Sequence, residues 1–100
     1  MATTTKAIAR TAAATSSATL YTVPSGTTSI VTDISLANAA TTASTVTIAL
    51  DSVVLVPAVS IPANSIINIG LKQTLAATKV ISGFASTTAV SIHISGVEVA

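Results

Sequence analysis

The side chains able to move protons or hold ions are few in this chain and widely spaced. There is one histidine, His93, no cysteine, and three carboxylates, Asp33, Asp51 and Glu98. Nucleophilic catalysis by serine or threonine needs a base within reach and a third group to orient it. Ser and Thr abound, but Ile92-His93-Ile94 sets the only imidazole on a strand face with Ser91 and Ser95, with no pattern for a triad. His93 reads as a solvent-facing or interface residue, with a pH-sensitive contact as the sharper alternative. Acid–base chemistry by paired carboxylates is the other common engine. Asp51 falls at a turn, where Asp bonds its own backbone, while Asp33 and Glu98 fall in strands and suit solvated or edge-blocking charges. One histidine, no cysteine and no acidic loop give no metal-ligand spacing. Gly26, Gly70, Gly83 and Gly96 stand alone, so no phosphate-cradling loop is present. The expectation is a protein without cofactor, metal or enzymatic activity.

Charge points the same way. Lys6, Arg10, Lys72 and Lys79 are scattered and the net charge is +1, which is no footprint for nucleic acid. Only 7% of residues are charged, against about 25% in ordinary globular chains. Such a surface has little protection against association, so either partners cover it or hydroxyls keep it wet. Tyr21 and Phe84, the two large aromatics, suit core or interface packing better than a ligand platform. Val53 to Val59 is interrupted by Pro57 and is too short to span a bilayer. The N-terminus lacks the basic-then-apolar pattern of a secretion signal, so synthesis in a cytoplasm is expected.

The elements that must carry these residues are strands. The larger apolar residues are mostly β-branched, 11 Val and 11 Ile against 6 Leu, and such side chains fit a pleated, half-buried surface. Val46-Thr47-Ile48-Ala49-Leu50, Ile67-Asn68-Ile69 and Val90-Ser91-Ile92-His93-Ile94 alternate with period two. Pro24-Ser25-Gly26 and Pro62-Ala63-Asn64 read as turns, and Asp51-Ser52 as a tight hairpin. Pro57 and Pro62 put the segment between them at a sheet edge or in an extended link. The apolar phase changes from Ile94 to Val97, which predicts a β-bulge at Ser95-Gly96. About seven or eight short strands are expected, in a small antiparallel β-sandwich or jelly roll spanning residues 19–100. Residues 1–18, rich in Ala and Thr with Ile8 as the one large aliphatic, read as an extended N-terminal arm.

Leu20-Tyr21-Thr22-Val23-Pro24-Ser25-Gly26-Thr27-Thr28, Ile61-Pro62-Ala63-Asn64, Leu75-Ala76-Ala77-Thr78-Lys79-Val80-Ile81 and Ser95-Gly96-Val97-Glu98-Val99 follow one another along the chain. In these phrases the sequence resembles small virion structural proteins of tailed bacteriophages, especially phages of cyanobacteria and other aquatic bacteria. The resemblance covers Thr19 to the C-terminus. Lys79 departs from it, standing where an acidic residue is expected. The resemblance implies a virion structural protein and leaves its place on the particle open; the small size, the N-terminal arm and the sparsely charged surface favour a head decoration, or cement, role on the outer capsid surface. Its partners would be the major capsid protein or other virion proteins. A neck, tail or fibre module is the alternative. A homo-oligomer is expected, a trimer above others, with no nucleic acid or membrane partner. Lys6, Ile8 and Arg10 on the arm, together with Tyr21 and His93, are the candidate interface residues.

Overall fold

Alternation of apolar and hydroxyl side chains becomes alternation of buried and exposed positions along strands. The computed structural model of the chain describes residues 3–100, apart from the side chain of Lys6. The described residues form eight strands and no helix: β1 (Thr3–Ala12), β2 (Ala18–Thr22), β3 (Thr28–Asn38), β4 (Ser44–Leu50), β5 (Val53–Ile61), β6 (Ser65–Leu75), β7 (Val80–Ala85) and β8 (Val90–Val99). They build two four-stranded sheets, ordered β1-β8-β3-β6 and β2-β7-β4-β5, and every pairing is antiparallel. First pairs with last, second with seventh, third with sixth and fourth with fifth. This is one long ribbon of strand pairs rolled into two stacked sheets, the jelly-roll topology. Of the two architectures left open by the sequence, strand order selects the jelly roll.

The core lies between the sheets. Val31, Ile34 and Leu36 of β3 and Val90, Ile92 and Ile94 of β8 face Val46 and Ile48 of β4 and Ile81 of β7, all essentially inaccessible to water. Each such side chain contributes roughly 1.5–3 kcal/mol on burial. The turns follow their chemistry. Asp51 and Ser52 both take positive φ, 52° and 64°, the two-residue hairpin geometry whose twist matches flanking strands. Gly26 has φ 75°, and Thr27 N–H donates to Pro24 O at 3.2 Å. Pro57 sits in β5, an edge strand, where its missing N–H is tolerated.

Two sequence expectations are corrected. The first concerns the segment read as an arm. From Thr3 to Ala12 it is β1, paired along its length with β8. Ile8, Ala9 and Ala13 are buried in the chain's own core. Thr and Ala alternating on an edge give no contrast between faces, so the strand is hard to read from sequence. The second concerns the bulge. β8 runs without one, and the extra residues lie in its neighbours, Ile8 in β1 and Thr32 in β3. Regular alternation through Gly96 then turns Glu98 towards the inside and leaves Val97 and Val99 on the outer face. Gly96 is needed for a different reason. A Cβ there would lie 2.2 Å from the backbone oxygen of Ile30 and 2.6 Å from Ile8 Cδ1.

Candidate functional site

The titratable groups are held apart by the fold. His93 and Arg10 are exposed cross-strand neighbours on the outer face of the first sheet. Ser35 and Asn68 complete their row, joined by a 2.7 Å hydrogen bond. Asp33 lies one row along the same face. Asp51 is at the tip of the β4–β5 hairpin, 3.7 Å from Lys79, with both side chains about half exposed. Such a pair is worth at most about 1 kcal/mol. It does account for Lys79, whose ammonium answers the Asp51 charge. Among the described residues no group of three or more His, Asp or Glu side chains is placed to hold a metal ion.

Of the five candidate interface residues, the structure unites only Arg10 and His93. The side chain of Lys6 lies outside the described residues. Ile8 is buried within the chain and is unavailable to a partner, because the β1 bulge points it between the sheets. Tyr21 does something else. Its phenol on β2 crosses to the other sheet and donates to Glu98 of β8. One proton cannot be given twice, so the 2.8 Å contact between Tyr21 Oη and Ser29 Oγ is donated by the serine. Burial and the Glu98 carboxylate raise the Tyr21 pKa above its ordinary 10.0, since both disfavour phenolate. The cluster fastens the two sheets at one end. Its sequence signal was the Val97-Glu98-Val99 phrase, which puts Glu98 inward once the strand is read without a bulge.

A second polar cluster was missed. Asn38, at the end of β3 and only 2% exposed, gives its amide to Thr42 O at 3.0 Å, Ile61 O at 3.1 Å and Pro62 O at 3.3 Å. Its Oδ1 accepts from Ala40 N–H at 3.0 Å and Ser44 Oγ at 3.4 Å. One side chain thus ties the β3–β4 loop to the β5–β6 turn. Nothing in the sequence marks Asn38 among the other polar strand residues.

The surface differs from one side of the sandwich to the other. β1 lies over β2 at one side and β6 over β5 at the other. On the β5/β6 side, Val53 is 69% exposed, Val54 55% and Ile66 60%. A shallow groove of about 290 Å³ adjoins Val54 on the outer face of the second sheet. It is bordered by Thr47, Ala49 and the half-buried Phe84, with no charged residue in its lining. What this geometry offers is contact area, not a cluster of reactive groups.

Fold and surface together define the chain as an eight-stranded jelly-roll module with one apolar side. No protein-family model and no curated protein matches it. Among solved structures, it is similar to a pentameric capsid protein isolated from metagenomic phage sequences. The two are 14% identical with a TM-score of 0.27, and the match covers 96% of this chain. The chain spans 59% of that protein's length.

Proposed function

We propose that this chain is a non-enzymatic structural protein of a phage virion, a head decoration protein that binds the outer capsid surface and stabilises the shell. The observation that carries the proposal is the uncovered apolar β5/β6 side on a module otherwise clothed in Ser and Thr. Exposed Val53, Val54 and Leu55 cluster at the start of β5, and grouped exposed apolar side chains are a usual mark of a site for association. The phrases from Leu20 to Val99 that resemble phage virion proteins supply the particle. A surface with few charges lowers the desolvation cost of docking onto the major capsid protein. The acids support a non-catalytic role by their separation, one on an outer face, one at a hairpin tip and one turned inward.

Quantitative mass spectrometry of purified virions tests this. Copies in the hundreds, comparable with the shell protein, are expected for a decoration protein. A few copies to a few dozen would replace that role by a neck, tail or fibre module. Absence from the particle would overturn the virion reading.

A further inference from the structure

We infer that the free edge of β6 is the contact with a second copy of this chain, the two β6 strands pairing antiparallel about a two-fold axis at Asn68. An edge strand presents a row of unpaired N–H and C=O groups, a template for another strand unless something blocks it. β5 is blocked by Pro57 and by two breaks in its register with β4. β2 is only 5 residues long. β1 carries Lys6 and Arg10 and its register is interrupted at Ile8. β6 is guarded only at its far end, where its one charge, Lys72, stands. From Ser65 to Gly70 its register with β3 is unbroken, and this stretch holds no proline and no charge.

Register selects the occupant. Residues directly opposite in an antiparallel pair share a face of the sheet, so two copies of one strand must meet with the axis on a residue. With the axis at Asn68, Ile67 meets Ile69 of the second copy and Ile66 meets its Gly70. Moving the axis to Ile69 would set Ile66 against Lys72 and draw in the irregular stretch between Gly70 and Gln73. Moving it to Ile67 would set Gly70 against Asn64, a turn residue with φ 53°.

At the Asn68 register the strand is complementary to itself on both faces. Ile67 and Ile69 sit opposite Leu36 and Ile34 of β3, which are fully buried, yet they are themselves only half-buried. A strand laid alongside covers them. On the outer face Ile66 is 60% exposed, and a Cβ at Gly70 would meet nothing within 4 Å. A large side chain lying over a cross-strand glycine shields both. Neutral Asn68 stands opposite itself, and the two Lys72 residues are carried roughly 25 Å apart. The contact is isologous and therefore closed. It joins two four-stranded sheets into one whose outer edges are the charged β1 strands, so growth stops at two copies.

The test uses the full chain in isolation, so its result is independent of whether virions contain the protein. Light scattering coupled to gel filtration is expected to give a dimer. Asn68→Asp keeps the side chain's size and its acceptor for Ser35, but sets two carboxylates face to face at the axis, and like charges directly opposite are unfavourable. The dimer Kd should rise by about tenfold or more, with an unchanged far-UV circular dichroism spectrum. Since the chain has no cysteine, mild oxidation reads the register directly. Asn68→Cys puts two Cα atoms about 4.5–5.5 Å apart, within disulfide reach, and should give a covalent dimer. Gly70→Cys puts them roughly 13 Å apart and should not. These variants serve if the aspartate disturbs the fold. A wild-type monomer at the highest attainable concentration, a trimer, an Asn68→Asp protein that dimerises as tightly as wild type, or cross-linking through Gly70→Cys in place of Asn68→Cys would each overturn the inference.

Discussion

Replacing Asn38 by alanine isolates a buried polar contribution to the fold. The side chain makes five polar contacts: the two amide hydrogens are shared among three carbonyl oxygens, and the side-chain oxygen accepts from two donors. They are not equal. Thr42 and Pro62 are exposed residues, so water can reach their oxygens once the amide is gone. Ser44 Oγ keeps its 3.3 Å contact with Thr87 Oγ1. Ile61 O is different, because Ile61 is fully buried and its oxygen would lose a partner without gaining one. Leaving a buried group unsatisfied costs about 1–3 kcal/mol, and an ordinary net bond, here Ala40 N–H, about 0.5–1.5 kcal/mol. The variant should therefore lose about 2–4 kcal/mol from a total on the order of 5–15 kcal/mol. Thermal denaturation should show a fall in Tm of roughly 10–25 °C. Asn68→Ala is the control, since Asn68 is exposed and its bond to Ser35 lies on the outer face; its cost should be below about 0.5 kcal/mol. Equal losses for the two variants would refute the idea that burial, rather than bond formation itself, sets the value of the Asn38 cluster.

Gly96→Ala should cost about 3 kcal/mol in urea denaturation, because the backbone oxygen of Ile30 cannot yield without moving β3. Gly70→Ala, where an added Cβ meets nothing within 4 Å, should leave stability nearly unchanged. Tyr21 should make the wild type sensitive to alkali. Its folded-state pKa is raised, so its contribution is fully present below pH about 10 and is lost as pH climbs through the folded value. Melting curves above pH about 10 should therefore show the gap between wild type and Tyr21→Phe closing. Deleting residues 1–12 removes β1 with Ile8 and Ala9, exposing the β8 edge. The shortened chain should lose cooperative thermal unfolding, whereas a detachable arm would leave the melting curve unchanged.

Where a strand has one apolar and one polar face, its sequence announces it. Thr45 to Leu50 and Val90 to Ile94 alternate because sandwich strands meet core on one side and water on the other. Pro57 limited its segment to an edge strand or an extended link by simple donor chemistry, and the structure makes it an edge strand. β1 stayed hidden because an edge strand of Thr and Ala buries little on either face, and Ile8 points inward only through a bulge. The Tyr21–Ser29–Glu98 and Asn38 clusters depend on register between distant strands, which local patterning does not contain. The apolar phase of β8 misled for a related reason. Val97 and Val99 read as inward residues, yet the inward position between them is Glu98, whose carboxylate is satisfied by a phenol from the other sheet.

The placement of charge bears on how the sheet edges are guarded. A jelly roll has four edge strands, and a small one has too little chain to cover them all. Here β1 carries two basic residues, β2 is short, and β6 has Lys72 beyond Leu71. β5 has no charge, and Pro57 with the bulges at Leu55 and at Pro57-Ala58 blunts that edge instead. Ala58 even takes φ 48°, a conformation that costs a non-glycine residue roughly 1–2 kcal/mol, and its N–H is taken by Thr47 Oγ1 at 3.2 Å. Glycine at that position would relieve the strain. The four edges are thus guarded by different means, charge on β1 and β6, brevity on β2, and proline with bulges on β5, which keeps both sheets from open-ended pairing.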